Sequence, residues 1–390
     1  MTKTFEGLGV AEDLVDALAE RGITEPFPIQ ELAIPDGLKG KDICGKAKTG
    51  SGKTLAFGLP VIENCRQGRA GRPTALCLVP TRELAVQVHD ELRPLAAQRN
   101  VRMAVIYGGA DIDKQVKRLR KGVDFVVGTP GRMIDLIDRN ELAVNDLTQV
   151  VLDEADRMAD MGFMPQVEWI LRNVAGDHQT YLFSATLDGA VNGLIQRYQT
   201  DPARHEVASK KVTVDEMHHR FLLVHEMDKV KVAAAIARAQ RRTLVFVATK
   251  HGADRLARKL QKEGIEAAAI HGDLRQRQRE GALRDFADGK LEALVATDVA
   301  ARGIHVDEVD VVIHYDPPSD HKAYLHRSGR TARAGETGVV VSLVLWNQEL
   351  ELRRLQRRIG VSQPIVEVFS NDRRLGDLAG WNPSEGENVA

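Results

Sequence analysis

Two tandem α/β domains, each a parallel sheet flanked by helices and joined by a flexible linker, are the fold expected of this 390-residue sequence. Three observations carry the expectation. The chain is longer than single hydrophobic cores usually grow, and length alone suggests two or three domains. Short β-branched runs alternate with longer stretches of helical period, the rhythm of a parallel sheet with crossover helices. That rhythm passes through the chain twice, with similar segments in the same order. At 43% hydrophobic and 28% charged, the composition is that of an ordinary globular protein able to build a core.

In the first half the runs are DICGKA, TALCLVP, RMAVIY, DFVVG, QVVLDEA and TYLFSAT. Nearly continuous apolar strands of this kind belong to sheets covered by helices on both faces. They place a first domain over residues 1–200. Over 201–216 the periodicity weakens, and Pro202 with the polar run SKKVTVDE marks a linker. The alternation resumes as HRFLLV, TLVFVAT, EAAAIHG, EALVATD, VDVVIHY and GVVVSLV, giving a second domain over 217–369. Residues 370–390, rich in Asn, Asp, Gly, Ser and Glu, read as a disordered tail.

The halves echo one another. LCLVPTRELAVQVHDEL is similar to LVFVATKHGADRLARKL, RMAVIYGG to EAAAIHGD, and DFVVGTPGR to EALVATDVAARG. Thr81, Gly108 and Thr129 then correspond to Thr249, Gly272 and Thr297. The reading is a duplicated fold with equivalent loops at equivalent strand ends; the competing one is that any two parallel α/β units look alike.

Formal net charge is −1, so the molecule has no overall basic excess and any nucleic-acid surface must be local. No window approaches a membrane span, and the N-terminal MTKTFEGLGV lacks the apolar core of a signal peptide, which points to the cytoplasm. Cys44, Cys65 and Cys77 are odd in number and unpaired in spacing, as buried reduced thiols would be. The histidines show no metalloprotease-like spacing that would argue for zinc.

AKTGSGKT, from Ala47 to Thr54, lies between an apolar strand and a helix, the context that turns a glycine-rich match into a phosphate loop. Gly50 and Gly52 let the backbone curl so that several N–H groups face one anion, and the helix starting near Lys53 adds the positive end of its dipole. Lys53 can reach the β- and γ-phosphates of a nucleotide, and Thr54 can place its hydroxyl on magnesium. Ala47 stands where the strict motif has its first glycine, so a chance glycine-rich turn is the competing reading. Further along, VVLDEADRM puts Asp153 and Glu154 at the end of a buried strand, where carboxylates face the crevice in which nucleotides bind. Asp153 would hold magnesium through water, and Glu154 would orient or deprotonate the attacking water. A helix cap is the plainer reading of such an acid taken alone.

From about Phe5 to about Phe369 the chain resembles the DEAD-box family of superfamily 2 RNA helicases, bacterial type. DEAD stands at Asp153–Asp156, and PFPIQ, PTRELA, GG, TPGR, SAT, VFVATK, HGDLRQRQREGALRDF, ATDVAARGIH and HRSGRTARAG lie around it in family order. The resemblance implies that both α/β domains are RecA-like, and that the protein is an ATP- and Mg2+-dependent RNA helicase that opens short duplexes locally. It implies that Gln30 reads adenine, with Phe27 or the isolated upstream Phe5 as the stacking ring, and that Ala47, Lys48, Thr49, Gly50, Ser51, Gly52, Lys53 and Thr54 hold the nucleotide together with Asp298 and Gly303. RNA would be held by Pro80, Thr81, Arg82, Gly108, Gly109, Thr129, Pro130, Gly131 and Arg132 in the first domain. Thr249, Gly272, Arg279 and Thr297 would hold it in the second. Asp156, Ser184, Ala185, Thr186, Arg302, His326 and Gly329 would couple hydrolysis to strand separation.

Arg330 and Arg333, three apart, fall on one helical face or turn and could supply guanidinium groups to a γ-phosphate held by the other domain; surface salt bridges are the alternative. Backbone N–H and hydroxyl donors of the kind the RNA motifs offer go to phosphates and sugars, so base preference should be weak and the 2′-hydroxyl should separate RNA from DNA. Ile23, where an aromatic often follows the glycine, Lys48, where glutamine is frequent, and His305, where the RGID version has aspartate, depart from the family pattern. A DNA-directed helicase of the same superfamily and an ATP-dependent RNA clamp without unwinding are the rival functions. A monomer is expected.

Overall fold

The structure is a computed structural model that describes residues 4–47, 50–187, 189–207, 217–240, 242–301, 309–318, 320–331 and 338–381. The chain divides into two compact units, Met1–Ser209 and Lys210–Ala390.

In the first unit the strands are β1 (Ile43–Lys46), β2 (Ala75–Leu78), β3 (Met103–Ile106), β4 (Phe125–Gly128), β5 (Gln149–Asp153), β6 (Gln179–Ser184) and β7 (Ala203–Glu206). They form one parallel sheet in the order β3-β4-β2-β5-β6-β1-β7. Alternate side chains of β2 enter opposite cores: Ala75 and Cys77 join Phe57 and Phe183, while Leu76 and Leu78 join Leu152 and Val126. That double burial is why the strand reads as one unbroken apolar run. Gly45 is fixed by the same packing, since a Cβ there would lie 2.4 Å from the Phe183 ring.

The second unit repeats the plan. Its strands are β8 (Met217–Leu223), β9 (Thr243–Phe246), β10 (Ala267–Ile270), β11 (Ala293–Ala296), β12 (Val311–His314), β13 (Gly338–Val344) and β14 (Ile365–Glu367). Their order, β10-β11-β9-β12-β13-β8-β14, is the first sheet's order strand for strand. Hydrogen bonds at the strand ends match as well. Val79 N donates to Gly128 O and Thr129 N to Ile106 O at 3.0 Å each, and Val247 N donates to Ala296 O at 3.0 Å and Thr297 N to Ile270 O at 3.4 Å.

Every strand segment expected from the sequence is a strand. Two of the four edge strands, β7 and β14, were not expected. Residues 203–206, placed in the linker, instead pair with β1 as β7, and their side chains alternate between partly buried and exposed. A half-exposed edge strand carries no apolar run to announce it. The tail expected to be disordered from residue 370 is likewise corrected over 370–381. Leu375 and Leu378 are 2% and 0% exposed in the second core, and the buried guanidinium of Arg220 donates to Leu378 O at 2.9 Å and Trp381 O at 2.5 Å. Residues 382–390 lie outside the described residues.

The three cysteines are free thiols; Cys44 and Cys77 are buried and Cys65 is partly so. Burial pushes the Cys65 thiol up to about 11. Among the described residues no helix is long and apolar enough to cross a membrane.

Candidate functional site

All strands of the first sheet point the same way, so the loops leaving their C-terminal ends share one crest. The strand order divides that crest. The glycine-rich turn follows β1, Asp153 and Glu154 close β5, and Ser184–Thr186 close and follow β6, and these three strands are neighbours in the order β5-β6-β1. In register, Asp153 lies opposite Phe183, and Ser184 opposite Lys46. The turns after β3, β4 and β2, which hold Gly108–Gly109, Thr129–Arg132 and Pro80–Arg82, occupy the other half.

The turn after β1 ends in Gly50 and Gly52, both at φ of +82°, a conformation that costs an L side chain about 1–2 kcal/mol. Lys53, 7% exposed, and Thr54 then open the helix Lys53–Glu63. Lys48 and Thr49 lie outside the described residues. Gln30 clasps this turn from the side. Its Nε2 donates to Gly52 O at 2.9 Å, while its Oε1 accepts from Phe27 N at 2.8 Å. A Cβ on Gly52 would lie 2.5 Å from Gln30 Nε2 and 2.6 Å from Phe27 Cδ2, so a side chain there would displace this clasp as well as strain the backbone. The two candidate rings differ sharply. Phe27 is 55% exposed beside the turn, whereas Phe5 is 1% exposed and packed into the core with Leu8, Leu14 and Ile29.

Asp153 and Glu154 are both buried. Asp153 Oδ1 accepts from Glu154 N at 2.9 Å, and the Glu154 carboxylate is paired with Arg157. Glu154 itself sits at φ 54°, ψ 49°, left-handed backbone that a non-glycine residue occupies only under local constraint. Two residues on, Asp156 is bonded to the neighbouring strand. Its backbone N donates to Ser184 Oγ at 3.1 Å, and its Oδ2 accepts from Ala185 N and Thr186 N, both at 3.2 Å. The end of β6 is thereby tied to the end of β5 by three hydrogen bonds centred on one residue. The oxygen donors Thr54 and Asp153 suit a hard cation such as magnesium, which takes one or two carboxylates and completes its shell from phosphate and water.

On the other half of the crest, Thr81 caps the helix Arg82–Gln98, its hydroxyl accepting from Leu84 N at 3.3 Å. The Arg82 guanidinium lies against Gly109, where a Cβ would meet its Nη1 at 2.2 Å. Arg132, behind Thr129, Pro130 and Gly131 at the start of the helix Pro130–Asp138, donates to Ala110 O at 3.3 Å. The three turns are thus interlocked, with N–H, hydroxyl and guanidinium donors at one edge.

The second unit carries the corresponding turns. Thr249 caps the helix Lys250–Lys262, accepting from Gly252 N at 3.0 Å; Gly272 lies two residues past β10 and Thr297 directly after β11. Arg279 lies in the helix Gln276–Ala287. The helix His321–Ser328 ends at Gly329, so Arg330 stands in the turn beyond it rather than on a helical face. Arg302, Gly303, His305 and Arg333 lie outside the described residues.

Two arginines that sequence reasoning did not single out matter to this geometry. Arg157 holds Glu154, and Arg327, 5% exposed, grips Asp298 with both arms at 2.6 and 2.8 Å, donates to Asp316 O at 2.7 Å and lies 5.2 Å from the Phe246 ring centre. Asp298, expected at the nucleotide, therefore has both carboxylate oxygens engaged within its own unit. Arg327 stands inside HRSGR, one residue from positions that were chosen; its burial was the signal the motif alone could not give. His326 and Gly329 flank it on the same helix end. Beneath that helix Tyr324 donates or accepts at 2.8 Å with His219 Nδ1, and its ring meets fully buried His314 edge-on at 4.5 Å. Burial, with Arg327 and His219 nearby, holds His314 well below the ordinary histidine range, so it is neutral at pH 7.

Comparison with known proteins follows the same division. The DEAD/DEAH box helicase family matches residues 27–193, and the helicase conserved C-terminal domain matches residues 227–335. The DEAD-box ATP-dependent RNA helicase CshA of Bacillus subtilis is 41% identical over 359 residues, covering 92% of this chain and 72% of that one. The ATP-dependent RNA helicase CshA of Listeria monocytogenes is 43% identical over 346 residues, covering 88% and 66%. Among solved structures, S. cerevisiae Dbp5 bound to RNA and ADP BeF3 superposes with a TM-score of 0.79 at 31% identity, over 95% of this chain and 96% of that one. A DEAD box protein from the hyperthermophile Methanococcus jannaschii gives 0.51 at 35% identity, over 94% and 100%. With both halves matched in order over nearly its whole length, the chain belongs to the DEAD-box family of ATP-dependent RNA helicases.

Proposed function

We propose that this protein binds RNA through the backbone-facing turns of both units, hydrolyses ATP when the units close on one another, and locally separates short RNA duplexes. The observation that carries the reading is the tie between Asp156 and the Ser184–Thr186 turn. It joins the strand end bearing the candidate hydrolytic carboxylates to the neighbouring element, on a crest whose other half is lined with donors suited to phosphate and sugar. RNA as the substrate is supported by the names of the relatives and by the RNA and nucleotide analogue bound in the yeast structure.

In this reading Lys53 and the N–H groups of the glycine turn hold the β- and γ-phosphates, and Gln30 reads the adenine edge. Exposed Phe27 is the better placed of the two rings to cover the base in the conformation described. Magnesium, held by Thr54 and Asp153 with the phosphates, would neutralise charge developing in the transition state. Glu154 orients the attacking water. Arg330 and Arg333 supply guanidinium groups to the γ-phosphate on closure, and Arg327 fixes the helix end that precedes Arg330. Backbone contacts read shape and the 2′-hydroxyl rather than sequence. Distorting a few base pairs suffices to melt a short helix, because stacking per step is on the order of 1–2 kcal/mol, judged from DNA. We infer a monomer acting in the cytoplasm.

Displacement of a short RNA duplex by the intact chain, with ATP and with none, tests this function; no ATP-dependent displacement alongside normal RNA-stimulated turnover would favour the clamp. Asp156→Ala removes the acceptor for Ala185 N and Thr186 N, charge-assisted bonds worth roughly 1.5–3 kcal/mol each. Duplex displacement is expected to fall far more than RNA-stimulated ATP turnover, and parallel losses would contradict the coupling role. Gly52→Ala forces a Cβ into Gln30 and Phe27 and strains the backbone by about 1–2 kcal/mol. ATP affinity, titrated with a fluorescent analogue, is expected to fall by about tenfold or more; unchanged affinity would place the nucleotide elsewhere.

A further inference from the structure

The two helices that leave the RNA-facing half of the first crest are Ile112–Arg120 and Pro130–Asp138, and a groove of about 670 Å³ runs along the first of them from its start at Ile112 to Lys121, reaching Arg139 past the end of the second. At the top they are joined by the Arg132–Ala110 bond, directly beside Gly109 and Thr129. Ile112 and Val116 give the groove an apolar floor from the helix start onward, and Lys117, Arg120, Lys121 and Arg139 line its lower part. We propose that this groove is a second RNA-backbone site, taking the phosphates of the strand that continues beyond the crest. The inference rests on the RNA-binding reading above and extends it along a surface outside the motifs that support that reading.

Charge decides the ligand class. Four cations face two carboxylates, Asp113 and Glu141, in a chain whose net charge is −1. Arg120 is paired with Glu141 and Arg139 with Asp135, but Lys117 and Lys121 carry no ion pair among the described residues. Basic residues in a last turn also complement the helix dipole, and two helix C-termini together subtract about one unit of charge. With Asp135, the partner of Arg139, and exposed Arg118 both counted, five cations stand against three carboxylates, so about one positive unit remains after that subtraction. Unpaired lysines in a channel continuous with a nucleic-acid surface suit a polyanion that releases counterions on binding. An apolar floor beneath them suits sugar and base faces.

The test uses the intact chain with an ATP analogue and two fluorescent oligouridylates: the shortest that the wild type binds, and the same RNA extended by several nucleotides at its 5′ or its 3′ end. For Lys117→Ala/Lys121→Ala, affinity for the extended RNA is expected to fall several-fold while affinity for the short one stays unchanged. The slope of log affinity against log salt for the extended RNA is expected to drop by roughly 1.4, two contacts at about 0.7 each. Lys117→Glu/Lys121→Glu should enlarge the effect on the extended RNA alone. Wild-type affinity for the extended RNA retained by both variants would overturn the inference, as would equal losses on short and extended RNA. A wild type that binds neither RNA would instead overturn the RNA-binding reading, and the groove's role with it.

Discussion

Lys53→Ala is expected to abolish ATP turnover, with and without RNA. Lys53 is the first residue of its helix, follows a glycine held at φ +82°, and is almost wholly buried, so its ammonium group has little room to serve solvent or a surface ion pair. Removing even one preorganised neutral hydrogen-bond donor aimed at developing charge costs about 10²–10³ in rate in other enzymes. Loss of the phosphate contact in the ground state adds to that. A steady-state phosphate-release assay suffices. Near-normal RNA-stimulated turnover in the variant would refute the nucleotide site, including the roles given to Gly52 and Gln30.

Arg333→Ala is expected to reduce ATP turnover by roughly 10³ to 10⁵, the range seen when an arginine finger is withdrawn in related phosphoryl-transfer enzymes. RNA affinity should change little, because backbone contacts come from other turns. The two measurements together separate a finger from an ordinary surface ion pair, which would move neither by more than about 1 kcal/mol. Equal loss of turnover and RNA binding would contradict the finger role. Arg327→Ala offers a useful contrast. It leaves Asp298 without its bidentate partner, so it should destabilise the second unit as well as slow turnover.

Most of the fold was legible because strands buried on both faces are apolar through their middles, and β2, β5, β9 and β12 are buried throughout, with polar residues only at their ends. The same rule explains the misses. β7 alternates polar and half-buried side chains at a sheet edge, and the segment 370–381 is composed of turn-forming residues anchored by two leucines and a distant arginine. Neither leaves a periodic trace. At the site, the glycine turn and the strand-end acids Asp153 and Glu154 could be read from pattern and SAT from the family resemblance, and the strand order β5-β6-β1 explains why three separated motifs meet. The clasp of Gln30 on Gly52 came only with coordinates, although Gln30 itself was chosen from the motif. Arg157 and Arg327 were missed because nothing in a sequence tells an arginine that pairs inside the protein from one that meets a ligand. Phe5 and Phe27 could not be told apart from sequence, since burial rather than identity separates them.

The most direct test of the account is ATP turnover by the intact chain with single-stranded RNA, with DNA of the same sequence, and with neither. RNA is expected to raise turnover well above a baseline that DNA leaves unchanged, because the function we propose makes hydrolysis wait on a ribose-reading strand. The same rate in all three conditions would contradict it.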